Sequence, residues 1–187
     1  MPDSSPAMAD ASYGCLFCQT GYEKAVARHI QDQYDNIAAV ALWQVQHHSE
    51  QGQKTFRNRI LLPGYVFVRM PSAAPTDFSQ AAHVVRLLRD AAGDWVLQGR
   101  DAQFARWVFD CGGLLGVSDA YRVGGAVLIA HGPLKDLEGN LIKIDRRNRN
   151  GLVELSFNGR VWRVWLAFEW LKEQEEDQCT YFLPKKE

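Results

Sequence analysis

The chain lacks a dominant charge, a long apolar run and enough cysteine for a disulfide framework, and each lack removes a class of function. With 21 basic and 22 acidic side chains among 187 residues, the net charge is −1. The net charge by itself therefore does not suggest nucleic acid, and the local charge balance is more informative. No stretch is long and apolar enough to cross a bilayer. Four Cys with no secretory signature fit reduced thiols and a cytoplasmic protein. Residues 1–12 are polar and rich in Pro, Ser and Ala, without a basic start or an apolar stretch, and they read as a disordered tail.

Catalytic motifs are missing as well. No Gly-rich loop opens a helix, no nucleophile elbow occurs and no carboxylate pair stands out, so no enzyme and no cofactor are expected. The five His show no metal-ligand spacing. Cys15 and Cys18 form a C-x-x-C with no second pair. Residues three apart on a strand face opposite ways, so buried thiols are expected there and no metal.

What is present is patterned. Residues 54–70, KTFRNRILLPGYVFVRM, run from basic side chains into β-formers interrupted by Pro63-Gly64. This predicts a bent strand. Residues 13–19 predict a strand, and Thr20-x-x-Glu23 is a capping-box pattern opening a helix whose Tyr22, Val26 and Ile30 share a stripe. Residues 38–46 predict another strand, and 47–58 a long polar loop at a hairpin tip. A second helix is expected from Thr76 or Asp77, with Phe78, Ala81, Ala82 and Val85 inward, with a strand beginning at 84–88 as the alternative, then a short strand at 95–97. A third helix carries Phe104, Trp107, Val108 and Cys111 at helical spacing and stops at Gly112-Gly113. The result is an α+β domain of ferredoxin-like type over residues 13–111: an antiparallel sheet with helices.

Residues 112–120 lack a period and read as a linker. Over residues 121–171 short strands alternate with turn signals, and Asn158-Gly159 is a type I′ hairpin signal. A small β-barrel is expected there; residues 172–187 form an acidic tail. Residues 121–171 hold eight basic against five acidic side chains, the only markedly basic region of the chain. Lys143, Arg146, Arg147, Asn148 and Arg149 load one hairpin tip with phosphate-binding groups, and Lys135 can join the same face. A solvated charge run is the plainer alternative. Trp162 and Trp165 could stack on bases, yet strand alternation makes at least one of them core.

These segments carry a resemblance. CQTGYEKAVARHI (residues 18–30), LLPGYVFV (61–68) and GGAVLIAHGPLKDLEGNLIKID (124–145), in this order, resemble the NusG family of transcription elongation and antitermination factors. The second domain is similar to a KOW domain, an SH3-like barrel. Within the family, GPLKDLEGNLIKIDRRNRN (132–150) and VWLAFEWL (164–171) look most like a specialised antiterminator of the LoaP kind.

The resemblance implies a monomer whose amino-terminal domain binds the clamp helices of the largest RNA polymerase subunit and suppresses pausing. It places the contact at Tyr65 and Phe67 after Pro63 and Gly64, with Tyr22 at the helix start. His47 and His48 then approach the other side of the cleft. In general factors the KOW domain recruits termination factor Rho or a ribosomal protein; in the LoaP kind it contacts an RNA hairpin. A ribosome-associated KOW-type RNA-binding protein is the alternative.

Overall fold

The computed structural model describes residues 11–50, 53–71, 77–78 and 80–171, without the side chains of 48–50 and 53–54. Four strands, β1 (Ala11–Cys18), β2 (Ala38–Val40), β5 (Tyr65–Pro71) and β6 (Val84–Leu87), form an antiparallel sheet in the order β2-β5-β1-β6. Both of its faces are covered, which is why β5 reads as an unbroken apolar run. On one face α1 (Glu23–Gln33) packs Val26, Ala27 and Ile30 among Leu16, Val66 and Val68. On the other, Cys15, Tyr65 and Phe67 meet α2 (Gly99–Asp110) through Ala105 and Val108. Cys15 and Cys18 fall on opposite faces, as strand alternation requires, and both are buried.

The second sheet contains β8 (Ser118–Val123), β9 (Ala126–His131), β10 (Leu141–Asp145), β11 (Asn150–Phe157) and β12 (Arg160–Trp170), ordered β10-β11-β12-β8-β9. It is a curled half-barrel, consistent with the expected small barrel of KOW type, so the α+β architecture with a small β unit holds. The Asn158-Gly159 turn has φ of 51° and 68°, as a type I′ turn demands, and pairs Phe157 with Arg160. A short helix, α3 (Pro133–Asp136), plugs this sheet with Leu134. That side chain lies where a Cβ on Gly151 would stand, 2.6 Å away.

Several expected elements differ. Residues 60–70 are not one bent strand: β4 (Gln53–Ile60) ends at Ile60, and Pro63-Gly64 form a turn before β5. A hairpin does lie at 47–58, but most of the expected loop is paired strand: β3 (Trp43–Glu50) and β4 pair from Trp43–Ile60 to Glu50–Gln53. Its polar residues show no apolar period because most of the described β4 side chains face solvent. The helix expected from 76 or 77 does not form. Thr76 lies outside the described residues, Asp77 and Phe78 are irregular, and residues 80–83 turn into β6. Phe78 and Ala81 are buried all the same. No strand forms at 95–97, where the Leu97 N–H donates to the Tyr13 carbonyl at 2.8 Å.

The expected tail and linker shift too. Ala11 and Ser12 already belong to β1, opposite Pro71 and Met70, while residues 1–10 and 172–187 lie outside the described ones. Residues 112–120 are tied at both ends. There β7 (Leu114–Leu115) pairs in parallel with β3, and β8 begins at Ser118 and pairs in parallel with β12.

Candidate functional site

The Pro63-Gly64 turn is held by a buried carboxylate. Glu23, 1% exposed at the start of α1, accepts the Gly64 N–H at 2.7 Å on Oε1 and the Gly21 N–H at 3.0 Å on Oε2. The capping-box pattern had assigned Glu23 to the helix start, but the N-cap is Tyr22 and makes no side-chain cap bond. The carboxylate caps the chain just before the helix through Gly21 and reaches across to the turn before β5. Gly64 is required here: its φ is +84°, and a Cβ would stand 3.0 Å from the Phe17 ring and 3.2 Å from the Cys18 carbonyl.

Tyr65 and Phe67 then point to one face, as their spacing predicts. They are 5% and 0% exposed. What covers them is the second sheet. Phe157, at the end of β11, lies with its ring centroid 4.9 Å from Phe67, 5.4 Å from Phe104 and 5.6 Å from Tyr65. Trp162 adds an edge contact to Tyr65 at 6.2 Å, while Phe17 flanks it at 5.6 Å. Trp162 therefore faces inward and Trp165 outward. The Trp162 indole N–H is enclosed and has no acceptor among the described residues.

Polar bonds join the same two layers. The Asn158 N–H donates to Asp101 Oδ1 in the first turn of α2 at 3.1 Å. His47 Nε2 lies 3.3 Å from the Phe168 carbonyl oxygen, and its Nδ1 3.6 Å from Glu169 Oε1. The side chain of His48 lies outside the described ones. Tyr22 stays apart from the covered face. It is 39% exposed and stacks on His83 with centroids 3.6 Å apart, while His83 Nδ1 meets Gln19 Oε1 at 3.1 Å.

The basic tip divides into braced and open residues. The Asp145 carboxylate accepts from the Asn148 backbone N–H at 3.0 Å and from its amide at 2.8 Å, and these bonds hold the Asp145 pKa below its usual value. Arg149 has φ of 55°, and its carbonyl accepts the Phe168 N–H at 2.9 Å. Its guanidinium pairs with Glu169. Lys135 pairs with Glu138 at 2.6 Å. Lys143, Arg146 and Arg147 are exposed, with no ion pair among the described residues. The structure thus gives Lys135, Asn148 and Arg149 intramolecular partners and leaves those three cations in solvent. Sequence spacing could not reveal the Arg149–Glu169 pair, because strand pairing alone brings these residues together.

No group of three or more potential metal ligands occurs among the described residues. Burial pushes the Cys15 thiol pKa up and that of Cys18 to about 11, so neither is poised as a nucleophile.

Residues 12–104 match the family model described as "Transcription termination factor nusG". This segment is a NusG-family N-terminal domain. The family consists of transcription factors and not enzymes. The match ends within α2, and the curled second sheet follows it in the chain. The solved structure described as "Domain interaction in Thermotoga maritima NusG" is 19% identical, with a TM-score of 0.46, over 86% of this chain and 95% of that one. No curated protein matches. No helix among the described residues is long and apolar enough to cross a membrane.

Proposed function

We propose that this protein is a cytoplasmic transcription elongation or antitermination factor of the LoaP kind. Its NusG domain docks on the clamp helices of RNA polymerase, and its KOW-type sheet holds nascent RNA. Tyr65 and Phe67 supply the apolar anchor for a partner helix. Pro63 and Gly64 set the turn that aims them, Tyr22 lies at the rim, and the His47–His48 hairpin reaches across the cleft. Arg146 and Arg147, with Lys143 beside them, take the RNA phosphates. Arg149, Asn148 and Lys135 shape that surface through their intramolecular bonds.

The observation that carries this reading is the NusG domain at residues 12–104 with two large aromatics on one face behind a carboxylate-clamped turn. Crosslinking of the intact protein to transcribing complexes tests it. Crosslinks to the largest polymerase subunit and to emerging RNA are expected. Crosslinks confined to ribosomal subunits would replace this reading with the ribosome-associated one, and a role for Rho or a ribosomal protein would register in the same experiment.

A further inference from the structure

The arginine tip lies beside the point where β12 ends. That strand runs on past the start of β11 at Asn150, on the side from which the tip projects. There the Phe168 N–H donates to the Arg149 carbonyl at 2.9 Å, and Glu169, the next residue, takes the Arg149 guanidinium. Lys143, Arg146 and Arg147 are left exposed, with no ion pair among the described residues. The sequence after Leu171 reads Lys172-Glu173-Gln174-Glu175-Glu176-Asp177, which puts four carboxylates in the five positions 173–177. We propose that this acidic run is the resting occupant of the tip. It folds back on Lys143, Arg146 and Arg147, and RNA must displace it to reach them. This rests on the RNA-binding role proposed above.

The reach is sufficient. Arg147 lies two residues before Arg149, and Leu171 three beyond Phe168, so the tip stands within about 20 Å of Leu171. Glu173 to Asp177 extend about 7–20 Å further along the chain, and the long arginine side chains close the remainder. The charges match as well. The carboxylates that already face the tip, Asp145 and Glu169, are engaged by Asn148 and by Arg149 and His47, which leaves the three exposed cations for the run. A single exposed ion pair contributes little, but several carboxylates on a cluster of cations act as a network. The run is also covalently attached, so it meets the tip at millimolar effective concentration. The Arg149–Glu169 pair begins the same pattern, since one carboxylate from the end of β12 already neutralises one arginine of the tip. Selectivity is the consequence: RNA, with a phosphate at every nucleotide, can replace the run, whereas an isolated anion cannot.

The test neutralises the run in the full-length protein by Glu173→Gln, Glu175→Gln, Glu176→Gln and Asp177→Asn together. In protein carrying ¹⁵N-arginine, the Nε–H resonances of Arg146 and Arg147 are the ones missing from Arg146→Lys and Arg147→Lys. At low salt they should differ between the wild type and the neutralised variant, and in neither should they depend on protein concentration. Affinity for a single-stranded RNA oligonucleotide should be about tenfold higher in the variant, as for a tip covered about nine-tenths of the time. Raising salt to about 0.5 M should shrink that gain to within about twofold, because the contact is screened. In Arg146→Ala/Arg147→Ala, neutralising the run should lose most of its effect on RNA affinity. A gain there as large as in the wild type would mean that the run repels RNA from a distance, and overturns the contact. Arginine resonances that stay in place, or an RNA affinity that neutralisation leaves unchanged, overturn it equally. So do resonances that move with protein concentration, since the run of a second copy would then be the occupant. If neither the wild type nor the variant binds RNA, the RNA-binding role falls, and the arginine resonances alone decide whether the run occupies the tip.

Discussion

Glu23 offers the sharpest test of how this fold positions its site. The residue is 1% exposed, and its two oxygens accept one N–H each, from Gly64 at 2.7 Å and Gly21 at 3.0 Å. A hydrogen bond to a charged acceptor contributes about 1.5–3 kcal/mol, and a buried donor left without a partner costs about 1–3 kcal/mol. Gly64 is buried, whereas Gly21 is exposed and can turn to water. Glu23→Gln can keep its amide oxygen on Gly64 but must present its NH₂ group toward Gly21. That change should cost about 1–2 kcal/mol, the loss of the exposed bond and of the charge on the buried one. Glu23→Ala strips both bonds, strands the Gly64 N–H and leaves a void, and should cost about 3–4 kcal/mol. Urea unfolding of the full chain measures both, and amide exchange at Gly64 localises the effect. A loss below about 1 kcal/mol in Glu23→Ala would show that the turn does not depend on the carboxylate.

Gly64→Ala should lower stability by about 1–3 kcal/mol, since its φ of +84° strains any side chain and the Cβ would press on Phe17 and Cys18; an unchanged melting temperature would contradict this. Arg146→Ala/Arg147→Ala should weaken RNA binding and flatten the salt dependence by about 1.4 in log–log slope for single-stranded RNA, two phosphate contacts' worth, without changing the melting temperature. Arg149→Ala should instead lower the melting temperature, because it breaks the pair with Glu169. The Cys18 thiol sets an alkaline limit. Its pKa is about 11 in the folded protein against about 9 unfolded, so below pH 9 both states are protonated and stability is complete. As pH rises from about 9 toward 11 the unfolded thiol ionises first, and stability falls. Denaturation midpoints in Cys18→Ala should show a shallower fall over that range.

The elements legible in the sequence were those with strong local signals. β1, α1 and α2 carry periodic apolar residues, and the Asn158-Gly159 turn carries its own chemistry. The β3–β4 hairpin was legible only as a tip, and the length of its strands was not, because polar residues exposed along β4 leave no alternation to read. The helix pattern at Phe78, Ala81 and Ala82 was a coincidence of spacing, since Phe78 and Ala81 are buried from a turn leading into β6. The Thr20-to-Glu23 pattern correctly marked a helix start but could not show that Glu23 also holds Gly64, which is brought to it only by strand pairing.

By itself the sequence determined the local elements, the shared face of Tyr65 and Phe67, the exposed arginines and the two-part order of the chain. Each of these depends on residues a few positions apart, whose φ/ψ preferences and side-chain periods act without help. Only the tertiary structure decided that Phe157 lies on that shared face, that Arg149 belongs to Glu169 and that Trp162 is enclosed without an acceptor. Those contacts join residues far apart in the chain. They form only when apolar surfaces from both sheets come together, and no local pattern encodes which surfaces meet.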